Sequence, residues 1–305
     1  MVSMMGVLRL LDGRHSVDEA MAEYRHARRE IEAHRRAQFT TFGIPDDVSC
    51  PATRLYHSQS ELNHGWVCPL GPDELSDLVV GMGYRRYVDV PRVHLPRTSA
   101  PLDVALDDAI GRRRSENVFA DQPIDLLVLG ELLRLSCGVT VDAKVPPRRA
   151  APSAGGLYAI ETYVVALAVD DLPAGVYHYA TIEHELEQLR MLEGRSDLRA
   201  VLPPGLYDAT PAVMVVLTAV LSRVQAKYLE RGYRFALLEA GHVAQNLSLV
   251  SAALSLSATC LGGFCDGPMN RLLLGADDGD EVAVYAVLVG LPAAQETDQN
   301  RLHLK

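Results

Sequence analysis

The chain has 305 residues, of which 48% are hydrophobic and 22% charged, and its formal net charge at pH 7 is −10. This composition allows a substantial core and excludes global disorder. The negative charge argues against nucleic acid or an anionic membrane surface as a partner.

The cysteines and the apolar segments bear on the compartment. Five cysteines are an odd number, and they lack paired spacing, so neither a disulfide framework nor a zinc site is expected. The N-terminal segment meets Arg9 and Asp12 too early for a secretory signal. The longest uncharged run, 243–265, contains Gln, Asn and several Ser, which favours a buried helix over a membrane span. We therefore expect a reduced, cytoplasmic protein without a metal.

Residues 1–100 are predicted to form an accessory region. Ser16 and Glu19 have the spacing of a capping box and predict a charged helix that runs to about residue 38. Repeated prolines then break the chain, with one short helix at about 72–82. Because this region is heavily charged, we expect no independent core in it and assign the main domain to residues 101–305.

The first half of the main domain alternates between helical and strand patterns. Apolar residues at helical spacing over 102–110 predict a helix that ends in 112–115, and a second helix is predicted over about 125–137. A β-rich apolar run predicts a strand over 160–169, and alternating residues predict a hairpin of 175–179 with 185–189.

The second half begins with a valine-rich strand, 211–221. A long helical segment comes next over about 224–257, interrupted near Gly232, and a glycine-rich loop is predicted over 258–265. A short helix at 267–274 and a strand at 281–289 complete the domain. This order predicts an α+β or α/β domain with a few-stranded sheet.

A glycine-rich stretch leads into the 160–169 strand. Gly155 and Gly156 let backbone N–H groups approach a flat or anionic ligand, because no Cβ intervenes. Arg148 and Arg149 supply positive charge just upstream. The same residues are equally consistent with a simple turn between two elements.

Two further segments have the composition of ligand contacts. Residues 112–115 place three guanidiniums and a hydroxyl at a helix end, which suits an anion, although a solvated helix terminus has the same composition. Gly262 and Gly263, followed by Phe264, form a second place where backbone can approach a ligand. A helix C-cap with a loop is the alternative.

Lys227 and Tyr228 form the most notable pair, since lysine occurs only at 144, 227 and 305. Lysine can be tuned to release its proton near neutral pH and so can act as a base, whereas arginine cannot. The alternative is a surface pair at a helix start. Glu239 and His242 share a helix face with Asn246 but lack a third ligand, which favours a satisfied polar stripe over a metal site.

Taken in order, these segments resemble the nitroreductase superfamily and, within it, the SagB-type (McbC-like) FMN-dependent azoline dehydrogenases. The ordered match spans about 101–292. Its seven segments are 113–115, 152–165, 175–179, 227–228, 233–247, 262–264 and 290–292, and upstream of them 56–58 resembles the motif that leads into this domain. The chain departs from the family at Asn117, where a basic residue is frequent. Residues 10–19 resemble the end of a peptide-recognition module.

The resemblance implies an α+β, nitroreductase-like fold with a central, mostly antiparallel sheet flanked by helices. It also implies a homodimer with FMN at the subunit interface. The residues expected to contact FMN are Arg113, Arg114 and Ser115 at the phosphate, Ser153, Ala154, Gly155 and Gly156 at the ring, Gly262 and Gly263 near N5 and O4, and Gln245 and Asn246. Lys227 and Tyr228 match the family's catalytic pair.

The implied reaction is oxidation of a thiazoline or oxazoline to a thiazole or oxazole in natural-product biosynthesis, with Lys227 as the base and oxygen reoxidising the flavin. The substrate is a peptide-borne or carrier-borne azoline, and a cyclodehydratase or synthetase is the expected partner. Three alternatives stay open: an FMN oxidoreductase acting on another amino-acid-derived or carrier-bound intermediate, an NAD(P)H-driven reductase, and a flavin-free scaffold.

Overall fold

The computed structural model describes residues 51–61, 84–98, 102–141, 147–202, 211–275 and 279–293. The chain divides into two compact units, one comprising Met1–Val67 with Leu229–Arg231 and the other Cys68–Tyr228 with Gly232–Lys305. The predicted helices at 16–38 and 72–82 lie outside the described residues.

The described part of the smaller unit is residues 51–61, which contain helix α1 (Pro51–Gln59), together with residues 229–231. The Tyr56 hydroxyl donates a hydrogen bond to the Glu230 carbonyl at 3.3 Å. Arg231 donates to the Ser60 carbonyl at 3.0 Å. These two bonds join the two sequence segments of this unit.

The larger unit is built on a seven-stranded sheet in which every adjacent pair of strands is antiparallel. In chain order the strands are β1 (Arg92–His94), β2 (Val139–Val141), β3 (Arg148–Arg149), β4 (Ile160–Ala166), β5 (Gly175–Ala180), β6 (Glu185–Met191), β7 (Val213–Val220), β8 (Ser257–Leu261) and β9 (Glu281–Gly290). Their order across the sheet is β1-β6-β5-β4-β7-β9-β8, and β2 and β3 form a separate pair.

Helices cover both faces of this sheet. They are α2 (Leu106–Arg112), α3 (Leu126–Cys137), α4 (Leu221–Tyr228), α5 (Arg231–Ala253) and α6 (Asp266–Leu274). Helices α3 and α5 share one core with the sheet, and α6 shares a second core with its other face. Strands β4 and β7 are buried along their whole length, as their continuous apolar sequences require. The predicted α+β class is confirmed.

Two local predictions concern the long helical segment and the residues after it. Helix α4 ends at Tyr228 and α5 begins at Arg231, with Leu229 between them at φ 50°, so the predicted interruption near Gly232 is confirmed. The predicted loop over 258–265 is wrong in its first half, because β8 pairs with β9 there. A strand of five residues at a sheet edge, with glycines directly after it, gives too little periodicity to be recognised.

The larger unit also begins before residue 101. Strand β1 pairs with β6, and Arg92 lies opposite Glu187, so a strand of the main sheet comes from the predicted accessory region. The strand has three residues and lies between prolines, which hides it from pattern-based prediction. Within the described residues, no helix is long and apolar enough to cross a bilayer.

One end of the sheet carries a buried layer of charged side chains. His178 on β5 lies between two buried carboxylates, with Nε2 3.3 Å from Glu161 Oε2 and Nδ1 2.9 Å from Glu187 Oε2. Beside them, buried Glu281 accepts hydrogen bonds from the Tyr163 and Thr218 hydroxyls. We call this group the buried charge layer; its cations are His178, Arg85, Arg86 and Arg223.

Contacts within the layer favour the charged forms of Glu161 and His178. Burial alone would raise the pKa of Glu161, but the hydrogen bond from His178 and the nearby Arg223 and Arg149 guanidiniums outweigh it and lower this pKa to about 2. Burial alone would lower the pKa of His178, yet its hydrogen bonds to Glu161 and Glu187 outweigh that effect and raise it. Both shifts favour the imidazolium form of His178 between two carboxylates.

These shifts predict how stability depends on pH. Because the pKa of Glu161 is depressed in the folded state, its contribution is present above its ordinary value of 4.5 and is lost as the pH falls towards about 2. Because the pKa of His178 is raised, its contribution is present below 6.5 and is lost as the pH rises through the folded value. The free energy of unfolding, measured with urea between pH 2 and 9, should fall both towards the acid end and towards the alkaline end, and Glu161→Gln should reduce the fall at the acid end, the acid limb. An unchanged acid limb in that variant would contradict the assignment.

Candidate active site

The glycine-rich stretch forms a tight loop over residues 153–158. Its backbone is left-handed at three positions, with φ of 65° at Gly155, 69° at Gly156 and 47° at Tyr158. The Ser153 hydroxyl accepts a hydrogen bond from the Tyr158 N–H at 2.8 Å and so closes the loop. Glycine adopts this conformation without a steric penalty, which explains why two of the three positions are glycine.

A buried carboxylate on α5 fixes this loop. Glu239 accepts a hydrogen bond from the Ser153 hydroxyl at 2.5 Å and another from the Ile160 N–H at 3.2 Å. Burial raises the pKa of Glu239, and these two hydrogen bonds and nearby Arg149 only partly offset it. Sequence reasoning placed Glu239 in a polar stripe; the structure shows that it joins the helix to the loop. The sequence contained one signal for this role, namely that Glu239 lies on a helix face whose other residues are buried.

The predicted catalytic pair lies directly against the loop. A methyl group placed at Gly155 would stand 2.9 Å from Lys227 Nζ and 2.8 Å from the Tyr228 hydroxyl oxygen. The Lys227 ammonium lies 5.1 Å from the centre of the Tyr228 ring, which packs edge-on against Phe235 at 4.7 Å. The structure therefore brings the lysine–tyrosine pair and the glycine loop together, although 72 positions separate Gly155 from Lys227 in sequence (227 − 155).

Arg149 lies beside the same loop. Its guanidinium is stacked between the rings of Tyr84 and Tyr158, at 4.4 and 4.9 Å from their centroids. One nitrogen donates to the Ile160 carbonyl at 3.3 Å, whereas buried Nε and Nη2 have no hydrogen-bond partner among the described residues. The positive charge expected upstream of the glycines is thus present at this end of the loop.

The arginine-rich segment lies next to β8. Ser115 forms a bridge with Ala258, and the Glu116 N–H donates to the Ala258 carbonyl at 3.1 Å. A cavity of about 110 Å³ is lined here by Arg112, Arg114, Glu116, Ser248, Ala252, Leu256, Ser257 and Ala258. The two guanidiniums outnumber the single Glu116 carboxylate in this lining, and with the two serine hydroxyls they suit a phosphate group.

The lining differs in two respects from the set that the resemblance implied, because neither Arg113 nor Ser115 is part of it. Arg112 lines the cavity together with Arg114, whereas Arg113 reaches the Ser115 hydroxyl at 3.5 Å. Which of three consecutive arginines faces the cavity depends on how the chain leaves α2. Composition alone does not contain that information.

The second glycine pair comes directly after β8. Gly262 and Gly263 are exposed, whereas Phe264 is buried in the second core and anchors the loop. A methyl group at Gly263 would meet no described atom within 4 Å, and one at Gly262 would make only an ordinary contact with Tyr285 at 3.6 Å. Packing does not require glycine at either position. The backbone is open to a ligand there.

These residues form two groups that lie apart within one chain. The loop half comprises residues 153–158 with Lys227 and Tyr228, and the anion half comprises residues 112–116 with 257–263. Helix α5 contacts the loop half through Glu239 and lines the cavity of the anion half through Ser248. Nine residues of helix correspond to about 14 Å along the axis. Each half is assembled, but the halves do not meet at a single point.

Two other candidate residues lie on α5 between the halves. Gln245 is exposed. The Asn246 amide donates to the Ser136 carbonyl at 3.1 Å and so contributes to the packing of α5 against α3. A cofactor contact from either residue stays a prediction.

The anion half fits a ligand that has a phosphate at one end and a flat ring at the other. The cavity of the anion half lies at Ala258 on β8, and its open backbone lies at Gly262, just after the end of that strand. A separation of four residues in extended chain corresponds to about 13 Å. FMN has this form, with a phosphate joined to a flat ring system by a ribityl chain. The residues present therefore fit this cofactor.

Comparisons with known proteins bear on the whole larger unit. The model of the nitroreductase family matches residues 110–291. "Putative nitroreductase MJ1384" of Methanocaldococcus jannaschii is 28% identical over 185 residues, which are 61% of this chain and 90% of the relative. The microcin B17-processing protein McbC of Escherichia coli is 33% identical over 125 residues, 39% of this chain. That alignment spans 46% of McbC, less than half of its length.

Solved structures show the same fold. The crystal structure of a protein from Ralstonia eutropha JMP134 that is described as a nitroreductase has a TM-score of 0.57 at 26% identity, and the match covers 67% of this chain and 90% of that one. A chain of the Escherichia coli microcin synthetase McbBCD complex, solved with truncated pro-MccB17 bound, has a TM-score of 0.52 at 18% identity. It covers 96% of this chain and 99% of that one, and at this identity it shows the fold alone.

Gly155→Ala tests the loop geometry. The methyl group would meet Lys227 Nζ and the Tyr228 hydroxyl and would need a left-handed backbone, so we expect a loss of about 1–2 kcal/mol in the free energy of unfolding. Gly111→Ala is the matched control, because a methyl group there meets nothing within 4 Å. Urea unfolding measures both. Equal stabilities would contradict the close approach.

Proposed function

This chain belongs to the nitroreductase family, and we propose that within it the chain is an FMN-dependent dehydrogenase that oxidises a thiazoline or oxazoline ring to a thiazole or oxazole. The observation that carries the proposal is the position of Lys227 and Tyr228 against Gly155 in the loop half. Converting an azoline to an azole removes one hydrogen as a proton and one as a hydride, so it needs a base beside the hydride acceptor. A reductase driven by NAD(P)H has no such need.

FMN is the cofactor of this family, and when bound it supplies the two-electron acceptor that oxygen then regenerates. Arg112 and Arg114, which line the cavity, would hold its phosphate in the anion half, and a contact from Ser115 stays a prediction. The backbone of Gly262 and Gly263 would lie against its ring. N–H groups there can donate to the ring and favour the added negative charge.

The loop half supplies the proton chemistry. Lys227 in its neutral form accepts, at Nζ, the proton from the ring carbon that derives from the amino acid Cα. The Tyr228 hydroxyl beside the same glycine orients the substrate or relays the proton. Its ring is held by Phe235, so the hydroxyl has a fixed position. Aromatisation of the product provides the driving force.

A homodimer would complete the site. Within one chain the two halves lie about 14 Å apart along α5. We infer that the loop half of one subunit and the anion half of the other enclose one FMN, so that two equivalent sites form across a two-fold axis. This arrangement places the base and the cofactor cavity on different chains.

The similarity to McbC supports a substrate carried on a peptide and a synthetase as partner. McbC is named for processing microcin B17, and the McbBCD structure is described as a synthetase complex with its precursor bound. Because the McbC alignment covers 39% of this chain, a carrier-borne substrate is retained as the alternative. The cytoplasmic location also stays a prediction.

Lys227→Ala tests the assignment. We expect azoline turnover to fall by about 10²–10⁴-fold, the usual contribution of a general base, while the flavin absorbance of the purified protein is retained. The assay incubates FMN-loaded protein with an azoline-bearing peptide and measures the loss of two hydrogens by mass spectrometry. Lys305→Ala, which removes a lysine that no motif assigns to the site, is the control and should keep full turnover.

The same protein distinguishes the alternatives. Rapid bleaching of the flavin by NADPH, with nitro reduction unaffected in Lys227→Ala, would favour the reductase suggested by the match to MJ1384. Protein that is colourless and stays free of flavin after FMN is added would support a scaffold. Full azoline turnover by Lys227→Ala would refute Lys227 as the base.

A further inference from the structure

Helix α4, which carries Lys227 and Tyr228, is short and is anchored at its first turn. Asp280 accepts hydrogen bonds from the Ser222 N–H at 2.9 Å and from the Ser222 hydroxyl at 2.8 Å. The next residue, Arg223, is buried to 6% exposure, whereas Lys227, one turn later, is half-buried. The side chains of Arg223 and Lys227, four positions apart, therefore lie on the same face of α4.

Arg223 contacts both the glycine loop and the buried charge layer. Its Nη1 donates to the Tyr158 carbonyl at 3.0 Å, and Tyr158 closes the loop that contains Gly155. Its Nη2 lies 2.6 Å from Glu161 Oε1, in the buried charge layer. One planar group therefore joins the lysine helix, the glycine loop and the central strand.

We propose that Arg223 is a positioning residue: its paired hydrogen bonds to the Tyr158 carbonyl and Glu161 hold α4 at the distance from the loop that sets Lys227 and Tyr228 against Gly155. The proposal rests on the proposed function for its catalytic consequence. Its structural content, the placement of the Lys227 amine, stands on the contacts alone.

The geometry of the guanidinium explains why arginine is needed. Its nitrogens are fixed in one plane, so two acceptors bound at once determine both the distance and the orientation of the helix. An ammonium group is a single point of charge on a flexible stem and would satisfy Glu161 without fixing the Tyr158 carbonyl. Arg223→Lys therefore keeps the charge in the layer and removes the second contact.

The other anchors of α4 act in different directions. A methyl group at Gly232 would stand 2.9 Å from the Val224 carbonyl carbon, so α5 is packed closely against the middle of α4. Asp280 holds only the first turn. The Arg223 fork acts along a third direction, towards the 153–158 loop, where it reaches the Tyr158 carbonyl. The spacing between helix and loop depends on it.

Stability alone is the competing explanation, and a matched variant separates the two. Arg134 on α3 also donates two hydrogen bonds to a buried carboxylate, with Nη2 2.5 Å and Nε 2.9 Å from the Glu131 oxygens. Arg134→Lys removes the same kind of paired guanidinium contact at a position that has no assigned part in the site. If Arg223 contributed only stability, both lysine variants would change turnover equally once corrected for the folded fraction.

The first measurement is azoline turnover by FMN-loaded protein. Arg223→Lys should lower kcat by about 10²-fold, the cost of misplacing a reacting group by about 1 Å, with KM and flavin absorbance little changed. In a Lys227→Ala background the same change should have no further effect, because Arg223 acts through Lys227. Equal losses in both backgrounds, or an equal loss in Arg134→Lys, would overturn the proposal.

The second measurement does not depend on the reaction. The three lysines can be labelled with an amine-reactive ester and compared by peptide mass spectrometry. Arg223→Lys should label Lys227 several-fold faster relative to Lys305, while Arg134→Lys should leave the ratio unchanged. An unchanged ratio in Arg223→Lys would overturn the positioning role. If the wild-type protein shows no azoline turnover but the ratio shifts, the proposed function fails and the positioning survives.

Discussion

A single buried carboxylate, Glu161 on the central strand, constrains the elements around it. It accepts the Arg85 N–H at 3.2 Å and contacts His178 and Arg223 through its two oxygens. A buried charge costs several kcal/mol unless it is paired and hydrogen-bonded, so each of these partners has to be in place for the sheet to form. Segment 84–87, strand β5 and helix α4 are thereby brought to fixed positions at one end of the sheet.

The loop half depends on this constraint from one side and on Glu239 from the other. Arg223 holds the Tyr158 carbonyl, and Glu239 holds the Ser153 hydroxyl at the opposite end of the loop. A left-handed backbone at Tyr158 costs free energy and persists only where the surroundings determine it fully. The Arg223 and Glu239 side chains, from two helices, provide that determination, and the glycines between their contacts are then held at a fixed place.

The sequence predicts much of the fold, because long apolar runs and helical periods identify most elements, and motifs in a familiar order indicate the fold class. It does not reveal what depends on distant partners. Glu239 bonds Ser153 across 86 positions, and Arg223 bonds Tyr158 across 65. For Glu239 the sequence offered one local signal, its place on an otherwise buried helix face, but neither sequence position indicates which distant group its side chain binds. Strands β1 and β8 were missed for another reason: at three and five residues they carry too little pattern.

The division into two halves explains why the proposed base lies on a helix rather than on a loop. In the proposed homodimer the cofactor cavity and Lys227 belong to different chains, so the distance between them is set by how two subunits pack. A base on a mobile loop would add its own positional error to that of the interface. A helix tied to the central strand through Arg223 and Glu161 moves only with its subunit. Catalytic geometry then depends on one variable, the docking of two rigid surfaces.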